Sequence, residues 1–63
     1  MTTAEIIRKK RDEQQISQLM LAEYCGISRP MVAQIERGTK TVSLPLAKKM
    51  ATYFGCTIDE LAG

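Results

Sequence analysis

Sixty-three residues make one small domain, of a size that buries only about 60% of the surface its unfolded chain exposes, with no room for a deep catalytic cavity. Hydrophobic content of 44% and charged content of 25% argue against disorder, and the longest apolar run, Leu19 to Ala22, falls far short of the ~20 residues a membrane-spanning helix needs. The net charge of +2 is too mild to name a partner by itself, but it is unevenly placed: residues 28–41 alone carry +2, and the rest of the chain cancels.

In chain order, five Ser/Thr residues stand where an apolar pattern of helical spacing begins. Thr2 opens the first helix, with Glu5 placed to complete a capping box. Arg8, Lys9 and Lys10 then read as its solvated basic face. Ser17 opens the second helix, whose inner side is Leu21, Ala22 and Cys25, and Gly26 supplies a left-handed stop. Ser28 opens the third, with Val32 and Ile35 facing inward. Pro30 falls at its second position, where a missing N–H costs nothing, so the Ser28 hydroxyl is expected to cap Met31. Gly38 to Val42 is the one loop of any length.

Ser43 opens the fourth helix, read with Leu44, Ala47, Met50, Ala51 and Phe54 inward and Pro45 repeating the proline device. Thr57 opens the fifth, again with a capping box, to Glu60. Apolar pairs flank every start at staple spacing: Met1 with Ile6, Ile16 with Leu21, Ile27 with Val32, Val42 with Ala47, Cys56 with Leu61. The fold expected is all-α, a compact five-helix bundle in one domain, 1–63. Helices two and three, joined by a turn this short, form a helix-turn-helix over about 17–37.

The run "SQLMLAEYCGISRPMVAQIERG" resembles the core of the phage-repressor and Cro-like family of helix-turn-helix proteins, also called the xenobiotic response element family. The matching places are Ser17, Gln18, Leu21, Ala22, Gly26, Ile27, Ser28, Val32, Ile35, Glu36 and Gly38, and the closing "FGCTIDEL" matches the family's last turn and fifth helix. The chain departs from the pattern at Lys10, Leu19, Met20, Pro30 and Met31. The resemblance implies a lambda-repressor-like fold and a sequence-specific DNA-binding regulator. It further implies Gln18, Ser28, Arg37, Thr39, Lys40 and Thr41 as phosphate contacts, and a structural ion pair between Arg11 and Glu36.

An arginine in a helix's first turn is unfavourable by about 0.3–1 kcal/mol, because the peptide dipoles leave positive charge there. Arg29 makes sense if a base edge or phosphate receives it. Helices two, three and four carry no acid in their first turns, and such bare ends accept phosphate. With Val32 and Ile35 inward, the opposite face presents Arg29, Pro30, Met31, Ala33 and Gln34 as candidate base contacts, with Arg37 beyond them. Arg29 can fork onto guanine and Gln34 can pair with adenine. Pro30, Met31 and Ala33 offer only apolar contact to thymine methyls, and Met31 could equally cover the motif's edge.

No histidine, serines all used as caps and scattered carboxylates argue against an enzyme. Two cysteines without histidine exclude the usual zinc spacings and a disulfide scaffold. Cys25 and Cys56 are expected as free thiols, with no metal, cofactor, small-molecule ligand or membrane partner, in the cytoplasm. Repression at a palindromic operator by a homodimer is expected, because one recognition helix reads only a few base pairs. Leu46 and Tyr53 on helix four, with Ile58 and Leu61 on helix five, are the expected dimer surface. A Met at the start and a full fifth helix at the end suggest a stand-alone regulator. The rival reading is a protein-interaction module, antitoxin-like or accessory, using Leu19, Met20 and Tyr24. Operator, regulated gene, activation against repression, and phage, plasmid or chromosomal origin are not legible.

Overall fold

The computed structural model describes residues 1–62. Among them are five helices and no strand: α1 (Thr3–Glu13), α2 (Gln18–Cys25), α3 (Arg29–Arg37), α4 (Leu44–Phe54) and α5 (Ile58–Leu61). The hydroxyls of Thr2, Ser17, Ser28, Ser43 and Thr57 each accept a backbone N–H from the first turn that follows, filling one of the four donors that a helix start leaves without an internal partner. Both capping boxes, Thr2 with Glu5 and Thr57 with Glu60, are formed. Ser28 takes the Met31 N–H at 3.2 Å, as the proline before it dictates.

Helix ends follow a second local rule. At Gly26 and Gly38 the chain turns into the left-handed region, with φ of 71° and 79°. The next N–H then reaches back along the helix, Ile27 to the Ala22 carbonyl and Thr39 to the Gln34 carbonyl, both at 3.0 Å. Gln15 holds a similar φ of 57° without being glycine, in the link between α1 and α2. Beside it the Gln14 amide donates to the Phe54 carbonyl at 2.7 Å, tying the end of α1 to the end of α4.

Ile7 of α1, Leu21, Ala22 and Cys25 of α2, and Val32 and Ile35 of α3 meet Leu46, Met50, Ala51 and Phe54 of α4 and Leu61 of α5 in one core. Cys25 is buried there as a free thiol and Cys56, also free, is half-buried; burial is the main effect raising both thiol pKa values.

Two leucines of α4 exchange their expected places. Leu44 is 60% exposed, whereas Leu46 is buried. At about 100° per residue the buried arc from Leu46 to Ala51 covers about 140°, and Leu44 lies about 20° beyond Ala51. Which edge is covered depends on the neighbour. Leu46 lies beside Cys25, Ile27 and Met31, at the turn between α2 and α3. Leu46 and Leu61 are therefore core residues, not the dimer surface expected of them. Tyr53 and Ile58 are half-buried, and Tyr53 stacks on Tyr24 with ring centroids 4.3 Å apart.

Candidate nucleic-acid interface

Helix α3 is divided lengthwise. Val32, Ile35 and Glu36 are buried, while Arg29, Pro30, Gln34 and Arg37 are exposed. Pro30, Gln34 and Arg37 stand at the spacing that runs down one face of a helix, with Ala33, half-buried, on one shoulder. Met31 lies on the other shoulder, packed against the core in the groove beside Leu46. Of the two roles open to Met31, covering the motif's edge is the one its packing supports.

The buried carboxylate of Glu36 organises the back of α3. Arg11 donates to it twice, Nε to Oε2 at 2.7 Å and an Nη to Oε1 at 3.1 Å. The third Arg11 nitrogen, Nη1, donates to the Ile16 carbonyl at 2.9 Å and lies 3.4 Å from Asp12. The hydrogen bonds that Arg11 donates to Glu36 hold the guanidinium pKa above its usual value, outweighing the opposing effect of burial. The Gln18 amide supplies a third donor to Glu36, at 3.2 Å. One carboxylate thus ties the end of α1, the link after it and the start of α2 to the end of α3.

The expected phosphate contacts separate into two groups. Ser28, Arg37, Lys40 and Thr41 are exposed, and the Ser28 hydroxyl, an acceptor in its cap, keeps its own proton to donate. Gln18 and Thr39 are engaged internally. Gln18 is half-buried against Glu36, and an amide has two N–H groups, so one remains. The Thr39 hydroxyl donates to the Gln34 carbonyl at 3.1 Å and its N–H goes to the same oxygen, so both its donors are spent on the end of α3. The Gln18 to Glu36 bond and the Gln14 cap were not foreseen; a glutamine beside a helix end has too many partners within reach for spacing to choose one.

First turns of α2, α3 and α4 are free of acidic residues, while α1 and α5 carry Glu5, and Asp59 with Glu60. Among the described residues no cluster of His, Cys, Asp and Glu is placed to hold a metal ion, and no helix is long and apolar enough to cross a membrane.

Residues 7–61 match the helix-turn-helix family model HTH_3. The whole chain is 32% identical to the immunity repressor protein of Bacillus phage phi105 but spans only 44% of that protein's length. An uncharacterized HTH-type transcriptional regulator of Methanocaldococcus jannaschii is 39% identical over 46 residues, 73% of this chain and 70% of that one. In structure, the chain resembles the restriction-modification controller protein C.AhdI of Aeromonas hydrophila, with a TM-score of 0.87, 34% identity and coverage of 94% of this chain and 89% of that one. The P22 c2 repressor, solved with a synthetic operator, shares the fold at a TM-score of 0.92 and 24% identity, over 98% of this chain and 94% of that one. The chain belongs to the helix-turn-helix family of phage-repressor and Cro-like DNA-binding transcriptional regulators.

Proposed function

We propose that the chain is a repressor that reads the major groove of double-stranded DNA with the outer face of α3. The observation that carries this reading is the state of that face: Arg29 and Arg37 are exposed, and among the described residues neither is ion-paired to a carboxylate. Beside them Gln34 is exposed. Arg29 takes the guanine edge, Gln34 an adenine, and Pro30 and Ala33 the thymine methyls. Ser28, Arg37, Lys40 and Thr41, with the remaining N–H of Gln18, grip the phosphates on either side.

A two-fold dimer on a palindromic operator with half-sites about 34 Å apart completes the proposal. Its surface excludes the core leucines 46 and 61, and Ile58 and Tyr53 remain accessible for it. The cytoplasm is the proposed compartment.

One observation favours a second reading. Leu19, Met20 and Tyr24 are 53%, 45% and 47% exposed on α2, and such surface fits a protein partner. Salt separates the two readings. Phosphate contacts make the logarithm of affinity fall linearly with the logarithm of salt concentration, whereas an apolar interface barely responds. A steep fall of duplex binding with salt supports DNA recognition; duplex binding absent at low salt would defeat it.

A further inference from the structure

The two ends of α3 are fixed by different forces. Near its C-terminus, Glu36 accepts two hydrogen bonds from Arg11 and one from Gln18, and among the described residues every hydrogen bond that joins α3 to another helix ends on that carboxylate. The first turn, which carries Arg29 and Pro30, has only local bonds: Met31 N–H to the Ser28 hydroxyl and Val32 N–H to the Ser28 carbonyl. Apolar packing places that turn against the rest of the molecule, and such packing has no direction of its own.

Val32 and Met31 do the packing. Val32 is fully buried and, being branched at Cβ, holds one strongly preferred rotamer. Met31 is half-buried and unbranched, with three rotatable bonds, so it takes the shape its surroundings leave. Those surroundings are the groove between the α2–α3 turn and the start of α4, which Met31 shares with Ile27, Pro45 and Leu46. Leu46 is the fixed wall. Its side chain is buried, its N–H goes to the Ser43 hydroxyl at 3.3 Å, and three residues on, Lys49 donates to the Cys25 carbonyl at 3.5 Å, tying α4 to the end of α2.

We propose that Leu46 is a positioning residue for base recognition: through Met31 it sets how far the first turn of α3 stands from the body of the domain, and so where Arg29 meets its base pair. The proposal rests on the reading of DNA by α3 and deepens it. A binding constellation tolerates displacement of only about 0.5 Å or 10–20°, so the shape of one buried side chain reaches the specificity of an exposed one. Gln34, one turn from the carboxylate anchor, is insulated from it.

The test measures base preference, the ratio of a protein's affinities for the duplex the parent selects and for one altered at a single base pair. Any unfolded fraction cancels in that ratio, so loss of stability does not imitate the effect. The base pair read by Arg29 is located with Arg29→Ala and that read by Gln34 with Gln34→Ala. Leu46→Val is expected to lose about fivefold preference at the Arg29 pair, the lower end of what a bidentate contact discriminates, and to keep the parental preference at the Gln34 pair. Ile7→Val, which also removes one buried carbon but from α1, should keep both. Met31→Ala should lose preference at the Arg29 pair, and adding Leu46→Val should take away less than the two losses combined, because both act through one groove. Parental preference in Leu46→Val overturns the proposal, and so does an equal loss in Ile7→Val or at the Gln34 pair. Loss in Met31→Ala without loss in Leu46→Val places Met31 itself on a base and also overturns it. In each of these cases recognition by α3 stands; a parent without base preference overturns both.

Discussion

Arg11 and Arg29 are the same residue type on opposite sides of α3, and they differ in what the fold has given them. Arg11 has a buried carboxylate, a backbone carbonyl and a nearby aspartate, and only 14% of its side chain is exposed. Arg29 stands at the first position of α3, exposed, with no ion-pair partner among the described residues and with the positive end of the helix dipole beneath it. An arginine that the fold uses is surrounded. One left bare at an unfavourable place is available to something outside the chain. The same distinction separates Gln14, spent on the Phe54 carbonyl, from Gln34, whose exposed side chain lies on the outer face.

The comparison breaks most visibly at Glu36. Glu36→Gln leaves the Arg11 charge poorly compensated, a loss of about 3 kcal/mol from a domain whose whole stability is roughly 3–9 kcal/mol at this length. Urea unfolding should show the midpoint collapsing, while the fraction still folded binds DNA. A variant that unfolds with the parent but no longer binds would mean that Glu36 serves recognition, not structure.

Gly26→Ala tests the turn that sets α3 against α2. A Cβ there meets nothing within 4 Å, so its cost comes from φ alone, about 1–2 kcal/mol. Thermal melting should register that loss with no change in DNA affinity of the folded protein; a change in base preference would mean that the angle between the helices has moved.

Lys40→Ala sharpens the outer side. It should weaken selected and scrambled duplexes alike and lower the salt slope by about one. Loss confined to the selected duplex would place Lys40 on a base.

The smallest effect belongs to Glu5. Hydrogen bonds from Thr2 lower its pKa below the ordinary 4.5, with the backbone N–H the larger cause, so its ionised form favours folding. That contribution is complete above about pH 4.5 and is lost as the pH falls through the lower value of the folded state. Glu5→Gln should melt slightly earlier than the parent at pH 7, with the gap closing in acid. A gap independent of pH would contradict the cap's charge dependence.

Local rules were legible and neighbours were not. All five hydroxyl caps could be read because a cap depends on residues within one turn. The three left-handed glycines, Gly26, Gly38 and Gly55, follow the same logic, although the sequence reading assigns that role to Gly26 alone. Leu44 and Leu46 were exchanged because both lie near an edge of the apolar arc, and the packing of α2 and its turn decides which edge is buried. Arg11 and Glu36 lie 25 residues apart, beyond any periodicity, and family resemblance alone suggested the pair.

The central claim is that the bare outer face of α3 reads base sequence. Selecting duplexes from a random pool with the parent and with Arg29→Ala in parallel tests it most directly. The parent should enrich a two-fold symmetric site, and Arg29→Ala should enrich the same site with preference lost at one base pair of each half, a loss of about 1–3 kcal/mol of discrimination there. Identical preferences from both proteins, or no enriched site from the parent, would contradict it.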